Sequence, residues 1–404
     1  MSSAFSLCLL VSSFACAGEP HMSVVEPPSG FLHTAVLSVS ADGLSSSGYS
    51  FGLPREASFV LRRDSLPQHF FNPSASLIAD GISDDGGTLC VTVTPSYPEK
   101  RFIYVGEIGG EVMNRLEDTS SHEYVASGMS GDGSTVYGYR LTMPQYTSPR
   151  TFIWRPGDVA PTLLDTTTPF GEGNSSPSIY MAIDSTGTKV VGTIGLPDQG
   201  MLGGVWIDGL FEPFRAREQD YLASILATSI SRNGQYYGGG YNGRAAIWKD
   251  GEPYMLLMGD PSALSTTFVA VADHGQLACA RTRVWTRERG DETAAEFLAA
   301  HGAPVPPPWR VEFISSISSD GSVIGGYLFD PVPSLFRGFV AYTSYRPCFA
   351  DFNGDGGVDG ADIESFFLTW QSGVQEGDVN MDGGVDGSDI EAFFSQWVQG
   401  GCVS

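Results

Sequence analysis

The sequence predicts an all-β fold, a seven-bladed β-propeller of four-stranded blades, with a small α-helical domain at the C-terminus. Three observations predict it. A short Gly-containing turn phrase recurs seven times at a blade-like period. Glycine supplies 50 of 404 residues, about 12% against a usual ~7%, which favours many tight turns and short strands. The composition then changes sharply from residue 348 onward.

The N-terminus comes first in the chain. Residues 4–17 read AFSLCLLVSSFACA, an apolar stretch ending in Ala15-Cys16-Ala17. An apolar run before A-x-A predicts a secretory signal peptide over residues 1–17, cut after Ala17. The run is too short for a permanent membrane helix, so no transmembrane segment is expected in the mature chain. No Lys or Arg precedes Arg55, so the usual basic start is missing; either the start lies upstream or the signal is atypical. Secretion makes the predicted location extracellular or the cell surface.

Residues 18–345 carry the repeats. The phrase appears as SVSADG (38–43), GISDDG (81–86), GMSGDG (128–133), AIDSTG (182–187), SISRNG (229–234), AVADHG (270–275) and SISSDG (316–321). Its glycines, Gly43, Gly86, Gly133, Gly187, Gly234, Gly275 and Gly321, are spaced by 43, 47, 54, 47, 41 and 46 residues. A strand ending in small residues follows each turn, as in TVYGYR and SVIGGYL. Next comes an aromatic strand, as in RTFIWRPG and RAAIWKDG. Trp154, Trp206, Trp248 and Trp285 occupy equivalent places and are expected to stack between neighbouring blades. Asp-Gly and Asn-Gly suit tight turns because those turns need positive φ. One small sheet cannot bury both faces, but a closed ring of sheets can. The incomplete ends add up to about one more repeat unit, which predicts that an N-terminal strand near Met22–Glu26 completes the last blade. One insert, DETAAEFLAAHGAPVPPPW (291–309), breaks the strand pattern. Its TAAEFLAAHG part reads as a helix stopped by Gly302.

Repeats with S-x-D-G, a following V-x-G-Y, an aromatic strand and a second D-G turn resemble the HAF-type extracellular repeats. The passage LAAHG…W…SISSDGSVIGGY is similar to that family as well, and the resemblance covers most of residues 36–345. It implies a secreted, propeller-like domain and no established reaction. The motif differs from the Asp-box of sialidases, because Asp320 and Gly321 are adjacent.

The last domain spans 346–404. Residues 348–404 hold eleven acids and no Lys or Arg, nearly half of a net charge of −24. That charge argues against nucleic-acid binding. Two segments repeat at an offset of 27: DFNGDGGVDGADIESFFLTW (351–370) and DVNMDGGVDGSDIEAFFSQW (378–397). Asp351, Asn353, Asp355, Asp359 and Asp362 fall at positions 1, 3, 5, 9 and 12 of a calcium loop. Gly356 sits at the sharp turn and the Gly357 carbonyl at position 7. Asp378, Asn380, Asp382, Asp386 and Asp389, with Gly383 and the Gly384 carbonyl, repeat the set. Two calcium ions are therefore expected, with binding and folding coupled. Ile363, Phe366, Phe367 and Trp370 form one helical stripe; Ile390, Phe393, Phe394 and Trp397 form a second, and the two should pack on each other.

A duplicated loop-plus-helix with Asp at position 12 resembles a type I dockerin. The flanking Pro-Cys348 and Gly-Gly-Cys402 resemble the GC-type variant. That resemblance covers 348–402 and implies calcium-dependent docking onto a cohesin-like partner or cell-surface scaffold. Positions 10 and 11, which tune partner choice in that family, are Gly360-Ala361 and Gly387-Ser388, so the side chains there offer one hydroxyl. Cys348 and Cys402 bracket the module and are expected to form a disulfide. Cys90 and Cys279 lie in strand-like runs and read as buried thiols.

Catalytic signatures are sparse. G-x-S-x-G, H-E-x-x-H and the P-loop pattern are absent from the sequence. His21, His33, His69, His122, His274 and His301 have no ligand spacing, and His274 reads as a turn variant in ADHG. Asp184, Asp273 and Asp320 recur at repeat turns, which favours a structural role. The charged run 215–220 (RAREQD) reads as a solvated loop. Two functions remain: a non-catalytic propeller carried on a docking tail, or a carbohydrate-active enzyme, a glycoside hydrolase or lyase of polysaccharide catabolism. The enzyme would need two or three carboxylates converging at the channel mouth, about 5–10 Å apart.

Overall fold

The computed structural model describes residues 19–52, 56–72, 74–96, 99–110, 113–116, 122–142, 147–164, 167–168, 171–172, 181–196, 200–215, 224–249, 251–256, 270–353, 358–373, 377–379 and 384–398. The segment read as a signal peptide, residues 1–17, lies outside the described residues, as do Asp355, Gly356, Gly357, Asn380, Asp382, Gly383, Cys402 and most of the 215–220 run. Among the described residues there are seven four-stranded antiparallel sheets and one two-stranded hairpin. The innermost strands of the blades are His33–Val39, Ala75–Ile82, His122–Met129, Ala182–Ile183, Ile225–Ile230, Ala270–Val271 and Arg310–Ile317. In blades 1–6 the four strands follow sequence order from the inside outward. The extra hairpin, Thr167–Thr168 with Gly171–Glu172, falls in the repeat interval of 54 residues, the longest of the six.

The seventh blade closes the ring. Its three C-terminal strands, Arg310–Ile317, Val323–Asp330 and Leu335–Tyr342, are joined on the outside by His21–Val25, antiparallel, with His21 opposite Tyr342 and Val25 opposite Gly338. This is the expected strand, one residue earlier. Next to it, Thr34 of blade 1 donates to the Val25 carbonyl at 2.6 Å and accepts from Gly338 N–H at 2.8 Å. The strand covers the edge of Leu335–Tyr342 and becomes the outermost strand of this blade.

The repeated turn explains why the phrase recurs. In blade 1 the Ser40 hydroxyl donates to Asp42 at 2.6 Å and accepts the Ser45 N–H at 2.9 Å. Asp42 in turn accepts the Leu44 N–H at 2.8 Å, and Gly43 N–H bonds the Ser40 carbonyl at 3.1 Å. The same wiring returns at Ser83, Ser130, Ser231 and Ser318, with Asn233 in the aspartate position of blade 5. In blade 4, Asp184 replaces the serine and accepts both Thr188 and Lys189 N–H at 2.9 Å. The turn glycines all have φ between +66° and +74°, the left-handed region where a Cβ is strained. Each also packs on the preceding blade. A Cβ at Gly86 would lie 2.3 Å from Ser45 Oγ, and one at Gly275 would lie 2.3 Å from the Tyr236 ring. The glycine therefore serves the turn and the seam between blades together.

The tryptophans fill those seams. Trp154, Trp206, Trp248 and Trp285 are buried on the third strands of blades 3–6. Each belongs to a cluster with residues of the blade before it: Trp154 with Cys90 and Ile103, Trp206 with Tyr137, Trp248 with Val191, and Trp285 with Ile247. Truncating one of them to Ala removes about 3–5 kcal/mol of packing.

The insert differs in one respect from the sequence reading. Gly290–Thr293 is the fourth strand of blade 6, paired with Arg283–Thr286. Arg283 and Arg289 bind Asp291 and Glu292 at 2.7 and 2.9 Å, which helps to hold these acids in the strand. Helix α1 (Ala294–Ala300) then starts at a capping box made by Thr293 and Glu296, with Gly302 at φ +80° just past its end.

In the tail, helices α2 (Gly360–Ser372) and α3 (Gly387–Val398) face each other. Phe366 and Phe393 stack with centroids 4.4 Å apart and planes 6° apart, and both are fully buried. Phe367 lies against Phe394 at 6.1 Å. The Trp370 indole donates to the Asp386 carbonyl at 2.6 Å and the Trp397 indole to the Asp359 carbonyl at 3.2 Å. Each helix thus grips the opposite loop. The tail meets the propeller at blade 6. The Gln276 amide accepts the Cys348 N–H at 2.9 Å and donates to its carbonyl at 2.7 Å. Cys348 is disulfide-bonded. Cys90 and Cys279 are buried, unbridged thiols. Among the described residues no helix is long and apolar enough to cross a membrane.

Candidate functional site

A central channel runs between the inner strands of the blades. In five blades the inner strand carries a β-bulge at the same repeat position. Leu37, Asp80, Ser127, Thr228 and Ser315 each fall where the partner strand offers no opposing residue. A bulge re-aims its side chain, and all five residues line a channel cavity of about 250 Å³. Four of the five are polar. The sequence reading missed them; the available signal was the residue three places before the turn serine.

Asp80 carries the one carboxyl among these bulge residues. It accepts the Thr92 N–H at 3.0 Å. Burial pushes its pKa up to about 7, and the hydrogen bonds from Thr92 only partly offset that. Thr92 also reaches the next blade, accepting Ala126 N–H at 3.1 Å. Beside this group, Ser229 is only 3% exposed, lines the cavity, and its Oγ has no hydrogen-bond partner within the described structure.

A hydrogen-bonded band rims the mouth. Asp84 N–H donates to the Gly131 carbonyl, Asp132 to Ser185, Ser185 to Arg232, Asp273 to Ser319, and Ser319 to Ala41, at 2.6–3.0 Å. Asn233 N–H donates to the Asp273 carboxylate at 3.0 Å. The Arg232 guanidinium crosses the mouth from blade 5, binding the Asp84 carboxylate of blade 2 and the Val39 carbonyl of blade 1. The Ser185 hydroxyl also donates to Asp84. Burial pushes the Asp273 carboxyl up to about 6, although Asn233 and the Arg232 charge pull the other way. Asp320 and Asp184 sit within their own turns. His274 occupies the aspartate position of its turn: its Nδ1 accepts the Gln276 N–H at 3.0 Å, and its ring packs near Tyr345 and Phe349. Burial lowers its pKa to about 4, so it is neutral at pH 7. The recurring turn acids and His274 therefore have structural partners. Arg232 bridging three blades was not legible from the repeats.

The tail loops are described in part. The Asp362 carboxylate is fully buried and accepts Asn353 N–H at 3.0 Å and Asp359 N–H at 2.8 Å. Asp389 is fully buried too and accepts Asp386 N–H at 2.8 Å. Asp359 and Asp386 cap the first turns of α2 and α3, accepting Ala361 and Ser388 N–H at 2.8 Å. Asp351 lies 3.9 Å from Arg287 of the propeller. Asp378 and Gly384 open and follow the undescribed stretch of the second loop. Among the described residues no three His, Cys, Asp or Glu side chains gather at one point. The donor set is nonetheless all hard oxygen. A carboxylate buried at each loop's last position, with its charge held toward the loop, fits a hard divalent cation.

Comparisons with known proteins bear on the fold. No family model matches the chain, and no curated protein matches it. Among solved structures, the β-propeller domain of Cps50 (Swd1) from Myceliophteria thermophila is similar at a TM-score of 0.50 and 9% identity, over 80% of this chain and 99% of that one. The β-propeller domain of the Trilobed protease from Pyrococcus furiosus, described as having an open velcro topology, aligns at 0.48 and 9%, over 78% and 94%. TolB from Acinetobacter baumannii aligns at 0.36 and 14%, over 57% of this chain and 60% of that one, so the match spans less than two thirds of TolB. At these identities the likeness concerns the fold alone.

Proposed function

We propose that this chain is a secreted, non-catalytic β-propeller, built of HAF-type repeats, that is anchored or assembled through a calcium-binding dockerin-like tail. The tail would take two calcium ions and dock on a cohesin-like protein or cell-surface scaffold. The observation that carries this reading is the symmetry of the tail. Two matching helices stack through Phe366 and Phe393, each tryptophan grips the opposite loop, and each loop ends in a fully buried aspartate. Asp351, Asn353, Asp355, Asp359, Asp362 and the Gly357 carbonyl would hold one ion. Asp378, Asn380, Asp382, Asp386, Asp389 and the Gly384 carbonyl would hold the other. Each ion would offset about half of the charge of the four aspartates in its loop. Calorimetric titration of the full chain with calcium tests this. Two ions per chain are expected, falling to one in Asp362→Ala and again in Asp389→Ala; an absence of calcium heat in the intact chain overturns it.

One observation favours the enzyme reading. Asp84 and Asp273 both approach Arg232 at the channel mouth, and Asp273 is held in the range of a proton donor near pH 6. A polysaccharide panel decides it: turnover that disappears in Asp273→Asn supports a glycoside hydrolase or lyase, and no turnover removes that reading.

A further inference from the structure

We propose that the propeller channel is a binding site for one small, uncharged polyol, about a single sugar ring in size. Asp80, Ser127, Thr228 and Ser229 would supply its hydrogen bonds. The inference stands on the channel alone and is independent of the tail.

The side chains are aimed by the backbone. A bulge at one repeat position turns Asp80, Ser127 and Thr228, from three different blades, toward a shared cavity of about 250 Å³. Ser229 follows Thr228 and presents a buried hydroxyl without a partner in the described structure. A buried polar atom left unsatisfied costs about 1–3 kcal/mol, so this position favours an occupant that can bond it. By liquid volume the space holds about eight waters, enough for a hexose.

The chemistry of the wall selects the class. The Ser127 hydroxyl can donate and accept, as the hydroxyls of a polyol do, Thr228 donates to the Gly238 carbonyl at 3.3 Å and would accept from the ligand, and a carboxyl adds a strong acceptor. An anion would meet Asp80, and the nearby guanidinium of Arg232 is already engaged by Asp84 and the Val39 carbonyl. A divalent cation usually takes six or more oxygens with several carboxylates, whereas the cavity wall carries two, Asp80 and Asp273, and Asp273 is engaged by the Asn233 N–H. Of the two remaining bulge residues, Ser315 already donates its hydroxyl to the Val36 carbonyl at 2.7 Å, and Leu37 offers an apolar surface suited to the C–H face of a ring.

The test uses the full chain with D-glucose, D-galactose, D-mannose and myo-inositol as probes, read by saturation-transfer NMR and calorimetry. Saturable one-to-one binding of at least one probe is expected. Asp80→Asn should weaken it about tenfold and Thr228→Val several-fold, and Asp351→Asn in the tail should leave it unchanged. Thermal unfolding of each variant identifies any that fails to fold, in which case Ser127→Ala replaces it. No saturable binding of any probe overturns the proposal. So does binding that folded Asp80→Asn and Thr228→Val chains retain in full, which would put the ligand elsewhere.

Discussion

Asp-Gly pairs recur in both halves of this molecule, yet the two halves use them differently. In the propeller turn one carboxylate meets its donors locally: Asp320 receives the Ser318 hydroxyl at 2.7 Å and the Ser322 N–H at 2.9 Å. The charge is spread over a few hydrogen bonds at a half-buried turn. In the tail, four aspartates fall within each twelve-residue loop. Asp362 and Asp389 are withdrawn from water altogether. Backbone donors hold these two in place, but hydrogen bonds do not neutralise four like charges. The role of an acidic turn is thus set by how many carboxylates share it, and the comparison can be broken at several points.

Chelation should separate the halves most strongly. With EDTA the tail is expected to lose its cooperative thermal transition, while the propeller transition stays within about 2 °C. Trp370 and Trp397, each bonded to the opposite loop, make tail fluorescence the readout. A tail transition that survives EDTA would place its stability in the stacked helices alone.

Glycine substitution sharpens the same contrast. Gly275 and Gly373 have nearly equal φ, +66° and +67°. A Cβ at Gly275 strikes the Tyr236 ring at 2.3 Å, whereas one at Gly373 meets nothing within 4 Å. Gly373→Ala should cost about 1 kcal/mol from backbone strain alone, and Gly275→Ala about 2–4 kcal/mol because the blade seam must also open. Denaturant unfolding measures both. Equal costs would mean that the seam yields freely.

The link between the halves is expected to be weaker than either. Gln276→Ala removes both hydrogen bonds to Cys348. A loss of about 1–2 kcal/mol is expected in the contact between tail and propeller. It should read as faster proteolysis around residues 343–347 with little change in the propeller transition. Unchanged cleavage would show that other contacts hold the tail.

These contrasts also mark what the sequence could carry. The turn was legible because Ser, Asp and Gly act on each other within six residues. Ring closure was legible because both ends were incomplete by complementary amounts. The tail helices followed from their aromatic stripes. The channel was hidden, since a bulge at Asp80 or Thr228 is a property of strand pairing and leaves no fixed residue type at that position. Leu37 stands in the same place. Arg232 was hidden for another reason: it occupies a variable turn position, and its partners lie three blades away around the ring, where no local pattern reaches.

The smallest effect expected is the pH dependence set by Asp80. Its carboxyl is raised from 3.8 to about 7 in the folded chain, so the folded state holds that proton more tightly than the unfolded one. The stabilisation is fully present below pH 3.8 and is lost as pH rises through about 7. His274, lowered from 6.5 to about 4, acts in the opposite sense below pH 6.5, so the wild-type profile alone is ambiguous. Asp80→Asn isolates the contribution because it keeps the shape and an acceptor for Thr92. Relative to the variant, the wild-type chain should lose about 1–3 kcal/mol between pH 5 and pH 8, after allowance for water in the channel. Urea unfolding at the two pH values reads this difference. Parallel profiles for the two chains would mean that Asp80 stays ionised, with channel water solvating it as well as bulk water does in the unfolded chain.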